Sequence, residues 1–220
     1  MKVIVYVEGP SDKLAMEALL KPLVDEKQEK GVTIAFAEAS EGDRKKSLLM
    51  KEPRRAANII MNDPRALVVI LPDLYPKDKA FPHTTVDELS NGILRQFEQA
   101  LASRHRDGDP RLKERFKVFC FKHDMEALLL AADKALNTRL GVNHLDVTWR
   151  LPVEDQDHDN PPKRIVENLF KSYGTHYVGT VDAPLVLGAA NLQDIANRCP
   201  QCFKPFVEFL ANLGTEHPAN

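Results

Sequence analysis

The chain has 220 residues, with 30 Lys and Arg against 32 Asp and Glu and 43% hydrophobic residues, the profile of a soluble globular protein of one or two domains with a real core to bury. A net charge of -2 excludes a whole-molecule basic field and leaves a local positive stripe as the means of holding nucleic acid. Three cysteines, Cys120, Cys199 and Cys202, are too few for a disulfide framework and agree with a reducing compartment. The opening MKVIVYVEG has neither the apolar core nor the cleavage region of a signal peptide, and no apolar window approaches membrane-spanning length. The expectation is a cytoplasmic protein without a membrane partner.

The first predicted element is a buried strand over residues 2 to 7, KVIVYV, stopped by Glu8-Gly9-Pro10. Ser11 and Asp12 are placed to cap a helix carrying Leu14, Ala18, Leu19 and Leu23, which Pro22 kinks or restarts. A second strand is expected from Val32 to Ala37, then broken helix between Glu41 and Asn62 around Pro53. ALVVIL, residues 66 to 71, is the strongest buried-strand signal and ends at Pro72-Asp73. The loop to His83 leads into a capping box, Thr85 and Glu88, opening a helix with Val86, Leu89, Ile93, Phe97 and Leu101 on one face. A fourth strand, Phe116 to Phe121, precedes His123-Asp124-Met125-Glu126 and a helix, ALLLAA, apolar on every side.

This alternation predicts an α/β fold: a mainly parallel central sheet with helices on both faces. After about residue 140 the pattern changes. VEDQDHDNPPKR reads as a polar loop without a packing pattern, and the chain beyond it is mostly helical, with Ile165, Val166 and Leu169 behind Pro162. A last helix runs through Phe206, Val207, Leu210 and Leu213 to Gly214. The expected division is an α/β domain over residues 1–140 and a helical C-terminal extension over 141–220, packed on it.

In an open parallel sheet ligands gather beyond the carboxyl ends of the strands, where Glu8, Asp73 and the His123–Glu126 group all fall. If their strands are neighbours, Glu8 and Asp73 present two carboxylates to one cavity, a minimal arrangement for Mg²⁺. The competing reading is that both acids merely cap their turns. His123 is suited to phosphate binding or proton transfer, or else is a satisfied hydrogen-bonding residue. Asp124 and Glu126 have an alternative as first-turn acids that complement a helix dipole. Lys163 and Arg164 sit at a helix N-terminus that suits a phosphate. Arg44 and Lys45, with Lys46, Lys51, Arg54 and Arg55, form the best candidate for a phosphate track, against the alternative of a solvated face. Cys199-Pro-Gln-Cys202 is half a zinc site without a second pair, which favours packing. Neither a glycine-rich nucleotide loop nor a serine nucleophile elbow is present.

VYVEGPSDKLAMEALL resembles the first motif of Toprim domains, in which a glutamate ends the first strand ahead of a glycine turn. LVVILPDLYPKDKAFP occupies the place of the Toprim Asp-x-Asp motif but has Tyr75 where the second aspartate stands. With FKHDMEALLLAADKAL, NPPKRI and CPQCFKPFVEFL, these segments resemble a bacterial family of uncharacterised Toprim-like proteins related to overcoming-lysogenization-defect (OLD) nucleases. The resemblance implies a Toprim-like fold and a Mg²⁺- or Mn²⁺-dependent nuclease or phosphoryl-transfer protein acting on nucleic acid, in a bacterial defence system. Glu8, Asp73 and Glu126 would be its metal acids, with Asp78 in reserve because Tyr75 is a poor Mg²⁺ ligand, and His123 an auxiliary catalytic group. It also implies a homodimer. The alternative is a non-catalytic Toprim-like module that binds nucleic acid or nucleotide beside a separate ATPase; a third reading is a structural subunit whose acids are only turn caps.

Overall fold

Strand β1 (Lys2–Val7) lies inside the sheet, between β2 (Thr33–Glu38) and β3 (Ala66–Leu71). With β4 (Phe116–Val118) beside β3, the order is β2-β1-β3-β4 and every pair is parallel. The computed structural model describes residues 1–214. All six residues of β3 are buried, as an unbroken run of branched side chains requires in a strand covered on both faces.

Parallel neighbours need crossovers, and helices supply them. Helices α1 (Pro10–Leu19) and α2 (Lys21–Glu29) lead from β1 to β2, with Pro22 in the first turn of the second, so the proline starts a new helix. Helices α3 (Arg44–Met50) and α4 (Glu52–Asn62) lead to β3, and Pro53 again lies in a first turn. Helices α5 (Val86–Ala102) and α6 (Pro110–Glu114) lead to β4. The capping box of α5 is formed: Thr85 accepts from the Glu88 amide and Glu88 from the Thr85 amide, each at 3.2 Å.

Alternation along the strands divides the core. Val3, Val5, Val7, Leu67, Val69 and Leu71 face α1, α2 and the C-terminal half of the chain, while Tyr6, Val68 and Ile70 face α3, α4 and α5. The C-terminal half contains α7 (Ala127–Ala131), α8 (Asp133–Leu140), α9 (Pro162–Ser172), α10 (Gly179–Gly188), α11 (Leu192–Arg198) and α12 (Phe203–Ala211). Helix α10 packs along α1. The buried ammonium of Lys27 on α2 donates to the carbonyls of Ala211 and, at 2.9 Å, of Leu213, groups that the end of α12 leaves unpaired. The extension therefore shares the sheet's own apolar cluster.

Three local expectations change. Helix α1 starts at Pro10, with Gly9 as its cap, and Asp12 serves it from within the first turn by accepting from the Gly9 amide at 2.9 Å. Strand β4 ends at Val118, short of Phe121, although the chain stays extended and pairs again where Phe121 lies opposite Asp73. The stretch after Pro152 is not an unpacked loop: Val153, Glu154 and Gln156 are buried. Glu154 accepts from the amides of Gln201 (2.6 Å), Cys202 (2.8 Å) and Phe203 (3.1 Å) at the start of α12, where helical amides have no internal partner. The three cysteines are free and buried, Cys199 on one side of the sheet and the Cys120–Cys202 pair (Sγ–Sγ 3.9 Å) on the other.

The loop between β3 and α5 is seated by a small residue. A Cβ at Gly92 would lie 2.1 Å from the ring of Phe81, so only glycine there lets this loop close onto α5. That loop carries Tyr75 and Asp78.

Candidate metal and phosphate site

The parallel register ends β1 and β3 at the same level, Val7 beside Leu71. Glu8 and Asp73 therefore emerge side by side, and the Asp73 amide donates to Glu8 Oε1 at 3.2 Å. Lys45, from the first turn of α3, reaches into the same space. Its ammonium donates to the Asp73 carbonyl at 2.9 Å and lies 3.6 Å from Glu8 Oε1. Asp12 approaches along α1, while Asp124 and Glu126 arrive from the segment after β4.

These five carboxyl groups behave as one electrostatic set. Burial pushes Glu8 up, against the pull of Lys45. Burial also drives Asp73 well above the usual carboxylate range, reinforced by the charges of Glu8, Asp12 and Asp124. Asp12 is pushed up to about 7 by burial, with Glu126 and Glu8 adding to the effect. Asp124 likewise rises to about 7 through burial and the proximity of Glu126. Glu126 is raised by burial against the pull of Lys163, and it accepts a hydrogen bond from the Tyr177 hydroxyl at 3.2 Å. Like charges held together out of water disfavour ionisation, and a cation reverses that preference. Asp124 Oδ1 is buried and has no hydrogen-bond partner among the described residues.

The remaining candidates divide. Asp78 Oδ1 accepts from the Ala80 amide at 2.6 Å, while its charge still raises Glu8. Arg44 is engaged by Glu38 at 2.8 Å, so of the basic stretch it is Lys45 that meets the acids. At the N-terminus of α9, the Lys163 amide donates to Asp124 Oδ2 at 3.3 Å. Asp124 thus serves α9 rather than the helix just after it in the chain, which begins at Ala127. Lys163 and Arg164 are exposed, the latter donating to the Asp159 carbonyl at 2.7 Å.

Beside the acids opens a cleft of about 680 Å³, lined by Tyr75, His123, Asp124, His158, Lys163 and Arg164 among others. His123 is only 2% exposed, and burial, aided by His158, lowers its pKa and so favours the neutral ring. Tyr75 donates its hydroxyl to the Thr84 carbonyl at 3.3 Å and presents its ring to the histidines. Among the described residues no three His, Cys, Asp or Glu side chains already stand in a metal-ligating arrangement.

The open parallel sheet, with acids from several chain segments converging at its carboxyl edge, defines an α/β protein with a polar crevice at that edge. The chain belongs to the family described as "Domain of unknown function (DUF4276)", whose profile matches residues 7–211. None of the curated proteins matches it. Among solved structures it is similar to the C-terminal region of the Burkholderia pseudomallei OLD protein, at 16% identity and a TM-score of 0.48, over 97% of this chain and 98% of that one. It is also similar to the C-terminal region of the Xanthomonas campestris pv. campestris OLD protein phased with iodine, at 14% identity and a TM-score of 0.45, over 96% and 95% of the two chains. Among the described residues no helix is long and apolar enough to cross a membrane.

Sequence reasoning missed two members of the set in this role. Asp12 reads as a helix cap, which it also is, and Asp124 as a dipole partner of its own helix. Their second role depends on an acid more than 50 positions away along the chain, since both Asp12 and Asp124 act on Asp73. The one sequence signal for Asp12 is its nearness to Glu8, since the turn after β1 and the first turn of α1 hold the two acids at one end of that helix. Tyr177 carries no local signal at all.

Proposed function

We propose that this protein is a divalent-cation-dependent phosphoryl-transfer protein that cleaves phosphodiester bonds in nucleic acid. The observation that carries the reading is the group of five carboxyls, Glu8, Asp12, Asp73, Asp124 and Glu126, drawn from separate segments and all pushed up by shared burial. An all-oxygen set with an unpartnered buried Asp124 oxygen fits Mg²⁺ or Mn²⁺ in donor chemistry. Glu8, Asp12 and Asp73 would hold the cation, with Asp124 and Glu126 completing the set. When bound, such an ion polarises a phosphate and lowers the pKa of water beside it.

The chain's own groups supply the rest. Lys45 offsets the charge of Glu8 and fixes the Asp73 backbone, so both acids keep their position as a phosphate approaches. Tyr177 orients Glu126 through its hydroxyl. The exposed ammonium of Lys163, at the positive end of α9, draws the phosphate into the cleft.

The test is incubation of purified protein with single- and double-stranded DNA and RNA in Mg²⁺ or Mn²⁺. Cleavage that falls on the order of 100-fold in Glu8→Gln supports the reading; equal rates in the two proteins remove it. A second reading, a binding module acting beside a separate ATPase, is favoured by Tyr75, whose hydroxyl is turned to the Thr84 carbonyl. It predicts nucleic-acid binding that is unchanged by chelator and no cleavage under any condition.

A further inference from the structure

We propose that the cleft beside the acids receives one unpaired nucleotide, its base against Tyr75, His123 and His158 and its phosphate toward Lys163 and Arg164. This deepens the phosphoryl-transfer reading and rests on it, since that reading supplies the phosphate.

Three rings line the cleft. The Tyr75 ring lies 4.2 Å from His158, edge to face at 68°, and 5.5 Å from His123, while the two histidines are 5.3 Å apart. None of these pairs is stacked, so the rings form inclined walls rather than a closed pile. Such walls offer a flat ligand a surface to lie against. Lys77 stands 5.8 Å from the Tyr75 ring centroid, adding a cation at that wall. At about 680 Å³ the cleft is within the range that encloses a small organic ligand.

The polar lining points to a base with an attached anion. His123 is 2% exposed, yet its Nδ1 has no hydrogen-bond partner among the described residues. A buried ring nitrogen left unpaired calls for a polar edge on the ligand, and nucleobases carry donors and acceptors along their edges. Lys163 and Arg164 border the same cleft and match a phosphate. A base inside a duplex has both faces covered by its neighbours, so only an unpaired one can lie against these rings. A single strand and a free mononucleotide share this chemistry.

The experiment is fluorescence anisotropy in excess EDTA, with a labelled short single strand, the matching blunt duplex, and AMP as competitor. The expected result is at least about tenfold tighter binding of the strand than of the duplex. Tyr75→Ala and His158→Ala should each weaken the strand about tenfold, and Tyr75→Phe should stay within about twofold. Displacement by AMP that weakens with the same two alanine changes identifies the free nucleotide as a source; resistance to AMP identifies the strand. His158 is exposed, so its variant keeps the test valid should Tyr75→Ala fail to fold. Equal affinity for strand and duplex, or wild-type binding by both alanine variants, overturns the proposal. Because EDTA removes the cation, ring-dependent binding without cleavage in Mg²⁺ would defeat the phosphoryl-transfer reading alone. Duplex cleavage indifferent to Tyr75→Ala would defeat the cleft assignment alone.

Discussion

Two sets of acid withdrawn wholly or partly from solvent in this protein are built in opposite ways. Glu154, 3% exposed, stands apart from the five acids and accepts from three backbone amides at the start of α12. The five carboxyls at the sheet's carboxyl edge are raised by loss of solvent, with charges of the set adding to it at Asp12, Asp73 and Asp124, and one oxygen of Asp124 has no partner among the described residues. Loss of solvent is common to both, near complete for Glu154 and Glu126 and partial for Glu8, Asp12, Asp73 and Asp124. What differs is satisfaction: Glu154 completes a helix, whereas the edge acids meet opposite charge from the polypeptide only through Lys45 and Lys163 and leave Asp124 Oδ1 unpaired among the described residues.

The contrast predicts stability effects of opposite sign. Glu154→Ala leaves three buried or half-buried amides unpaired and should cost about 3 kcal/mol in urea unfolding. Asp73→Asn removes a like charge from a crowded set and should leave stability unchanged or raise it by up to about 1 kcal/mol, while abolishing cleavage. Comparable destabilisation by both, with activity retained in Asp73→Asn, would make the edge acids ordinary caps.

A ligand sharpens the same distinction. Saturating Mn²⁺ should raise the melting temperature of the wild type by about 5 °C, as expected for a ligand that binds only the folded state. Glu8→Gln should lose most of that shift, and Glu154→Gln should keep it. An equal shift in all three proteins places the ion elsewhere.

Acidity gives a smaller effect with a definite sign. Asp12 and Asp124 rise from 3.8 to about 7 on folding, so the folded state holds protons that the unfolded chain has released. Their contribution to stability is full below the unfolded value and is lost as pH rises through the folded one. Without cation, the melting temperature should therefore fall between about pH 4 and 7, and fall less in Asp12→Asn/Asp124→Asn. Identical slopes in the two proteins contradict the assignment. Divalent cation should flatten the wild-type slope, because its binding releases the same protons.

The smallest effect belongs to the exposed basic stretch. Arg44→Ala removes a partly exposed pair with Glu38 and should change stability by no more than about 0.5 kcal/mol. Cleavage should stay within about twofold, since Lys45 rather than Arg44 reaches the acids. A loss approaching that of Glu8→Gln would restore Arg44 to the phosphate path.

Much of this was legible in the sequence because it is local. ALVVIL announces a strand buried on both faces, and Glu8 and Asp73 come directly after strand ends that parallel pairing sets side by side. The capping box at Thr85 and Glu88 reads correctly for the same reason. Glu154 does not, since its partners lie 47 to 49 positions away and the run that follows it, Asp155 to Asn160, is polar. Helix α10 escapes notice because glycines bound it and Pro184 interrupts it, leaving no helical period to read. Asp12 satisfies a nearby amide, and that local duty conceals its membership of a set assembled only by the fold, while Asp124 serves the Lys163 amide 39 positions away, a pairing no local pattern announces. Tyr75 marks the same limit: its departure from an acidic motif is visible in the chain, but its place among the rings of the cleft is not.

The most direct measurement is diffraction at the manganese absorption edge from crystals soaked in Mn²⁺. An anomalous peak at about 2.2 Å from carboxylate oxygens of Glu8 and Asp73, joined by Asp12 or Asp124, is the expected result. Absence of a peak there at saturating Mn²⁺, with Lys45 still against Glu8 and Lys163 drawn onto the remaining acids, would contradict it.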